Sequence, residues 1–410
     1  MKKIFNFALY DFANSAFTTI IITFIFATYF AKQIAPNPIL GQSYWGWTIG
    51  ITGFLVAIIG PIVGSFADKK NKIVFFIRCF SLLCILFTAL LWFSKPSQSY
   101  LLYTLVIVGI ANLFYELSLI FYNSLLKDIS TDRNLGKSSG FGFALGYVGG
   151  IVILLISIKL FIDTDNLPFG LIKEESQNIR AIALLVSIWF LIFSIPFLFF
   201  VIKENKKRIK KSVSSNFTDL KKLVWDKKIS VLGKFLIARM LYADGLNAII
   251  VMGGIFAVGV FNLEIKDLLK LSVLMNITAF IGAFIGGIAN DKYGSKIVII
   301  FSLIGLIFSS TAILFTLSAS TFFFLAAING LFIGPIQSAS RVVITSMLNK
   351  NNQGKGFGLF ATSGKLTSFV GPLLVGTVTF LTASQRIGFS AAIILLLSGL
   401  IVLLNIKKIS

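Results

Sequence analysis

The chain consists of long apolar runs separated by short polar segments. The runs are rich in Phe, Ile and Leu on all sides and lack the two-residue alternation of β-barrel strands. A helix of about 20 residues crosses hydrocarbon about 30 Å thick, and backbone polar groups inside lipid must be paired within the protein. The pattern therefore predicts twelve transmembrane helices. Their expected bounds are 5–31, 47–67, 73–93, 100–124, 138–160, 180–202, 232–260, 269–290, 297–317, 321–348, 357–382 and 387–405.

Composition supports an all-α, multi-pass membrane protein. Hydrophobic residues make up 56% of the 410 residues and charged residues 13%, with a mean hydropathy of +0.91. A soluble domain is about one quarter charged, so no separate soluble domain is expected. The protein is therefore expected to have the lipid bilayer as its main surroundings.

The positive charge follows the predicted topology. The net charge is +21, and Lys and Arg are roughly three times as frequent in the loops on the side of the termini as in those on the other side. This bias predicts that both termini are cytoplasmic, in a plasma (inner) membrane. Because the charge is dispersed among loops, it is explained without a nucleic-acid partner.

One long basic segment, 203–230, divides the predicted helices into six and six. We interpret 1–202 and 231–410 as two six-helix halves and the segment as a solvated cytoplasmic linker on anionic lipid. A partner-binding segment is the alternative.

The two halves repeat three motifs at equivalent places, which indicates a duplicated half. Parallel six-helix repeats are typical of transporters whose substrate site lies between the halves at the membrane midplane. The matched stretches are "GSFADKKNK" (64–72) with "GGIANDKYGSK" (286–296), Asp11 and Asn14 with Asp244 and Asn247, and "GFGF" (140–143) with "GFGL" (356–359).

The first matched stretch resembles the Gly-x-x-x-Asp-(Arg/Lys)-x-Gly-(Arg/Lys)-(Arg/Lys) motif of the major facilitator superfamily. Asn71 stands where the motif usually has Gly, and Asn tolerates a left-handed turn. A carboxylate here can sit on the N-terminus of a neighbouring helix in one transport state and leave it in the other. A simple stop-transfer turn with basic residues is the alternative. The gating candidates are Gly64, Asp68, Lys69, Lys72, Gly287, Asp291, Lys292 and Gly294.

"YDFANSAF" (10–17) resembles the Tyr-Asp-aromatic-Ala-Asn-Ser-Ala-Phe motif of one branch of this superfamily. That branch, the "unknown major facilitator" group, is similar to the fungal vacuolar amino-acid effluxers linked to autophagy. The resemblance implies the major facilitator fold. The fungal members imply export of neutral amino acids, whereas the bacterial members imply little about the substrate. Ala243 departs from the branch, which often has Asn before the acid. Further matching stretches are 115–128, 140–150, 334–341, 354–372 and 384–389.

Charged residues inside the predicted helices are the main site candidates, because each costs about 2.5–3.5 kcal/mol at a helix centre. Arg78 and Lys234 lie near helix ends and can reach the interface, whereas the role of Arg239 stays open. For Asp11 and Asn14, structural and functional roles are both open. The substrate or coupling candidates are Asp11, Asn14, Glu116, Tyr122, Asn123, Asp244, Asn247, Gln337, Arg341 and Lys365.

Two roles are more specific. Glu116 is expected about 16 Å from the side of the termini, and Lys365 about 15 Å, which places both near the midplane. Since the chain has no His, we expect Glu116 to carry a coupling proton. Asp244 and Lys365 each lie ten residues beyond a basic residue, so we expect them to form an ion pair.

We therefore expect a monomeric secondary transporter that moves a small solute by proton-coupled alternating access. An amino acid or related metabolite is the first candidate substrate, with export favoured. The alternatives are a drug or siderophore efflux carrier, a non-transporting membrane receptor and a membrane-embedded enzyme. The chain offers no nucleophile–base pair, and Cys79 and Cys84 on one helix give no ligand set, so we expect no enzyme activity, cofactor or metal.

Overall fold

The computed structural model describes most of the chain. The basic segment 203–230, with its alternative role in binding a partner, lies largely outside the described residues. The described ranges are 2–164, 166–201, 223–226, 228–261, 263, 265–349, 352–365, 367–368 and 370–407.

The described chain is almost entirely helical, as predicted. A short antiparallel pair of two-residue strands, β1 (Trp225–Asp226) and β2 (Lys228–Ile229), precedes the second half. The helices are α1 (Lys2–Ile34), α2 (Pro38–Lys70), α3 (Ile73–Leu90), α4 (Leu101–Ser124), α5 (Leu135–Ser157), α6 (Gln177–Ile195), α7 (Val231–Phe261), α8 (Ile265–Tyr293), α9 (Ser295–Phe315), α10 (Ala319–Met347), α11 (Gln353–Lys365 and Val370–Thr382) and α12 (Gln385–Leu404).

Eleven described helices are long and apolar enough to cross a membrane, and α11 completes the predicted set in two pieces. Each piece has 13 residues, too few to span hydrocarbon alone. Pro372 is the third residue of the second piece and has no N–H for the carbonyl of Ser368. The side chain of Asn247 on α7 donates to that carbonyl instead, at 2.8 Å. The interruption of α11 is therefore supported by a neighbouring helix.

One other helix boundary and one internal helix geometry differ from the predictions. Helix α2 begins at Pro38, nine residues earlier than expected, because Asn37 accepts a hydrogen bond from the Leu40 amide at 2.9 Å and caps the helix. Within α1, the stretches Phe17–Phe24 and Phe30–Ile34 adopt wider π-helical turns. Such turns are rare overall, and those that occur often lie at functional sites.

Each half has its own hydrophobic core. The first core contains Phe7, Phe30, Phe121 and Phe190, and the second contains Phe235, Leu303 and Leu396. Three residues of the first half, Val56, Leu117 and Ile120, pack into the second core. The two cores are largely separate, while the halves meet along two extensive helix pairs, α5 with α8 and α2 with α11.

Side-chain contacts confirm the internal repeat. The Tyr10 hydroxyl lies 3.1 Å from the Ser118 hydroxyl, joining α1 to α4. The Tyr242 hydroxyl lies 2.7 Å from the Ser340 hydroxyl, joining α7 to α10 in the same way. This Tyr–Ser contact was not predicted, although both tyrosines belong to the repeated motif.

The halves meet on the side where α1 begins and α12 ends, called here the terminal face. Gly64 on α2 lies against the backbone of Gly354 on α11, and Gly287 on α8 lies against Gly136 and Gly140 on α5. Among the described residues, hydrogen bonds between the halves lie between this face and the membrane midplane. The structure is therefore closed at the terminal face and open toward the opposite face.

The glycine contact predicts the effect of a single methyl group. A Cβ at residue 64 would overlap the Gly354 carbonyl, so Gly64→Ala should destabilise the closed terminal face by about 1–3 kcal/mol. A Cβ at Gly50, on the same helix, would meet open space. Gly50→Ala is the matched control and should leave stability unchanged or slightly higher. Thermal unfolding in detergent measures both, and equal melting temperatures would contradict the assignment.

Candidate functional site

Two carboxylates lock the terminal face by binding helix N-termini. Asp68 at the end of α2 accepts hydrogen bonds from the Gly354 and Lys355 amides at 3.1 and 2.8 Å. Asp291 at the end of α8 accepts them from the Gly136 and Lys137 amides at 2.6 and 2.9 Å. Each pair of amides is among the first four of a helix, which lack partners within the helix. Each contact joins the two halves, as a gating role requires.

The loops after these acids share one backbone feature. Asn71 has φ 54° and Gly294, its equivalent in the second half, has φ 85°. The expected tolerance of Asn for the left-handed turn is therefore confirmed. The predicted lysines Lys69, Lys72 and Lys292 are exposed at the terminal face, so among the motif residues the carboxylates form the described links between halves.

An ion pair between Asp11 and Arg341 lies deeper, and both residues are buried. The Arg341 Nη1 lies 3.4 Å from Asp11 Oδ2 and joins α10 to α1. The same guanidinium donates to Asn123 Oδ1 at 3.2 Å and to the Ser139 carbonyl at 2.7 Å. Tyr122 donates to Asp11 Oδ2 at 2.7 Å. Four predicted candidates thus form one cluster, which fastens α10 to three helices of the first half.

Aromatic rings and a glycine enclose this cluster. Tyr122 stacks between Phe7 and Tyr10, with ring centroids 4.1 and 4.6 Å away, and the Phe143 ring lies 4.4 Å from the guanidinium carbon of Arg341. A Cβ at Gly142 would overlap Asp11 Oδ2. The repeated "GFGF" stretch therefore makes room for a buried charge.

A second ion pair joins the halves near the midplane. Glu116 Oε1 on α4 lies 2.7 Å from Lys365 Nζ, at the last residue of the first piece of α11. The Lys365 side chain is 34% exposed and that of Glu116 is 15% exposed, so water reaches the pair. Both residues line a cavity of about 390 Å³ between the halves. Solutes entering from the opposite face can therefore reach this pair.

The cavity has a polar floor and an apolar upper chamber. The floor is lined by Glu116, Asn247 and Lys365 among others. A second space of about 420 Å³ adjoins it, since Ile250 and Gln337 line both. Its wall includes Phe24, Ile249, Phe256, Ile333 and Phe389. The arrangement suits a solute with a charged end and an apolar end.

The predicted ion pair between Asp244 and Lys365 is wrong, because Lys365 pairs with Glu116. Asp244 and Lys365 were predicted at the same distance from the terminal face, but that distance does not determine the direction in which each side chain points. Asp244 lies where α7 packs against the interruption of α11, with its backbone carbonyl against Gly371. The neighbouring Asn247 holds the Ser368 carbonyl there.

The remaining candidates have smaller roles. Asn14 Oδ1 accepts a hydrogen bond from the Tyr115 hydroxyl at 3.5 Å, and Gln337 Oε1 accepts one from the Tyr147 hydroxyl at 3.1 Å. Gln337 joins the halves, whereas Asn14 lies within the first half.

Sequence reasoning missed Ser139 and Thr362, and it left the role of Arg239 open. Ser139 binds Arg341 through its hydroxyl and its carbonyl. Thr362 donates to the Ala57 carbonyl at 2.8 Å, which Pro61 leaves without an intrahelical donor. Arg239 donates to the Phe360 carbonyl at 2.6 Å across α11. Only the position of Pro61 four residues after Ala57 gave a signal, since it predicts an unpaired carbonyl.

Comparison with known proteins places this geometry among transporters. The family described as "vacuole effluxer Atg22 like" matches residues 33–408. The uncharacterized MFS-type transporter YxiO of Bacillus subtilis (strain 168) is 26% identical over 97% of this chain and 93% of its own length. Autophagy-related protein 22 of Eremothecium gossypii is 25% identical over 72% of this chain and 63% of its own length.

Solved structures share the fold at low sequence identity. The human organic anion transporter MFSD10 (TETRAN) has a TM-score of 0.76 at 15% identity, covering 98% of this chain and 99% of its own. The proton:xylose symporter XylE has a TM-score of 0.76 at 12% identity, covering 98% and 94%. The predicted two-half fold is confirmed.

The terminal-face locks predict a change in conformational population. Asp68→Asn removes the charge from a helix N-terminus, an interaction worth up to about 2 kcal/mol, and should reduce the population closed at the terminal face. Asp291→Asn should act in the same direction. Distances between spin labels on the two halves measure the population. Asp163→Asn removes an exposed acid on the opposite face and serves as control. An unchanged population in both lock variants would refute the gating role.

The midplane pair predicts energetic coupling. Glu116→Gln or Lys365→Met alone leaves an unmatched charge between the halves and should lower stability. The double variant should be less damaging than the sum, with a coupling energy of about 0.5–3 kcal/mol. Thermal unfolding of the four proteins gives this energy directly. Additive effects would show that the 2.7 Å contact contributes no stability.

Proposed function

Since the chain belongs to the Atg22-like vacuole effluxer family of the major facilitator superfamily, we propose that this secondary transporter exports neutral amino acids as zwitterions. It is a multi-pass membrane transporter and not an enzyme. The Glu116–Lys365 pair at the cavity floor is the observation that carries the proposed substrate class.

A zwitterion can take the place of this ion pair without leaving a net charge. Its ammonium group would bind Glu116 and its carboxylate would bind Lys365, so each protein charge exchanges one opposite charge for another. This exchange leaves no unpaired charge in a low dielectric. A ligand with only a positive charge would leave Lys365 unpaired, and a ligand with only a negative charge would leave Glu116 unpaired. A bound zwitterion would also contact both halves at once, because Glu116 belongs to the first half and Lys365 to the second.

The upper chamber supports an apolar side chain on the substrate. Its wall carries Phe24, Phe256 and Phe389 together with aliphatic residues. Burying an aliphatic side chain there gains about 25 cal/mol for each Å² of apolar surface removed from water. Amino acids such as leucine therefore fit both parts of the cavity, whereas strongly polar ones fit only the floor.

Direction and orientation rest on different observations. The family description "effluxer" supports export. The excess of Lys and Arg on the terminal face supports a cytoplasmic location for both termini in a plasma (inner) membrane. In that orientation the described state opens outward and the Asp68 and Asp291 locks close the cytoplasmic side. A single chain encloses the whole cavity, which supports a monomer that needs only a substrate, protons and lipid.

Counterflow of labelled leucine into proteoliposomes tests the proposed substrate. Leucine should exchange, and analogues that lack either charged group should compete at least about tenfold less well, since each leaves Glu116 or Lys365 unmatched. Glu116→Gln and Lys365→Met should lose exchange, while Asp163→Asn should retain it. Equal competition by a single-charge analogue would contradict zwitterion binding. Transport of a bulky drug or siderophore in place of leucine would favour that alternative.

A further inference from the structure

Asp244 is a buried acid without a cationic partner. It is 3% exposed, and among the described residues its Oδ1 has no hydrogen-bond partner. Asp11 holds the equivalent place in the first half and is bound by Arg341 and Tyr122. The duplication therefore leaves one copy of the acid paired and the other unpaired.

The groups around Asp244 are engaged elsewhere. The positive charge of Arg239, on the same helix, stabilises the ionised Asp244 carboxylate from a distance. Its guanidinium group donates hydrogen bonds elsewhere, to the Phe360 carbonyl at 2.6 Å and the Ser363 hydroxyl at 2.7 Å. Lys365 is paired with Glu116. On α12, the residues against the neighbouring Gly245 are apolar. In the described part of the chain, no ion pair compensates Asp244.

One hydroxyl lies beside the carboxyl group. Thr367, at the interruption of α11, has its O–H close enough to the Asp244 carboxyl group to act as a donor toward it. An ionised carboxylate with a bare oxygen costs several kcal/mol in a low dielectric. The Thr367 hydroxyl is a neutral donor and leaves the charge in place, whereas adding one proton to the carboxylate removes it.

We propose that Asp244, rather than Glu116, binds the coupling proton in the state described here. The proton comes from cavity water and joins the carboxylate to form a neutral carboxyl group. Asn247 and Ser368 line the polar cavity and flank Asp244, so the water path ends beside it. Glu116 is left to bind the substrate. Binding of the proton is independent of the proposed transport function, and its coupling to transport rests on that function.

A sodium ion fits this place less well than a proton. Sodium at an interrupted helix is held by free backbone carbonyls. Here the Lys365 carbonyl accepts from the Ser368 amide, the Thr367 carbonyl from the Val370 amide, and the Ser368 carbonyl from Asn247. The local turn and α7 thus occupy these three described carbonyl oxygens.

The test follows conformation and needs no substrate. Spin labels at Phe169→Cys and Leu317→Cys, exposed on the opposite face of each half, report the separation there in a Cys79→Ser, Cys84→Ser background. Lowering the pH from about 8 to about 5 should increase the open population at least about fivefold, because a ligand favours the state that binds it better. Asp244→Asn mimics the neutral acid and should be open at every pH.

Two further variants and one ion exchange complete the test. Glu116→Gln should keep the pH dependence. Thr367→Val removes a donor to the ionised carboxylate and should shift the midpoint about 0.5–1 pH unit higher, which provides a reading if Asp244→Asn does not fold. Replacing Na⁺ by K⁺ should change nothing. A pH response that persists in Asp244→Asn or disappears in Glu116→Gln, or a response to Na⁺, overturns the proposal. Failure of leucine counterflow alone would reject only the proposed substrate.

Discussion

Charges buried in hydrocarbon must be compensated by the protein, and here compensation crosses between the two halves. In both described midmembrane ion pairs, Asp11–Arg341 and Glu116–Lys365, the acid belongs to the first half and the base to the second. Without the other half, the first half would leave both acids of these pairs unpaired, and the second half would leave both bases unpaired. The halves are therefore held together by a requirement that lipid cannot satisfy, and any movement between them must first supply replacement partners.

The partners that can replace these contacts between the halves differ with depth in the membrane. At the terminal face, Asp68 and Asp291 bind backbone amides in two symmetric copies, and water can take over there when the halves part. At the midplane, Glu116 and Lys365 are reached by water and by solutes in the cavity. The Asp11–Arg341 pair lies between these levels and is buried. The contacts at the terminal face are thus symmetric between the halves, whereas both midmembrane ion pairs run from an acid of the first half to a base of the second.

The sequence predicted the architecture well because each of its signals is local. Twelve apolar runs, the duplicated motifs and the left-handed turn at Asn71 depend only on residues near in the chain. The partners of the charges were harder to predict. Lys365 and Asp244 have equal depth, but which face of a helix each occupies depends on how α11 is interrupted. Arg341 and Asp11 were both candidates, yet their contact needs the space above Gly142, which only the packed helices reveal.

Two prolines within the described helices, Pro61 and Pro372, have an evolutionary consequence. Pro61 frees the Ala57 carbonyl, and Thr362 of the other half donates to it. Pro372 leaves the Ser368 carbonyl to Asn247 in the same manner. Each proline and its donor are far apart in the chain but share one hydrogen-bonding requirement, so the two positions should change together as the sequence diverges. Replacement of a proline by another residue would restore the intrahelical bond and release its distant donor from selection.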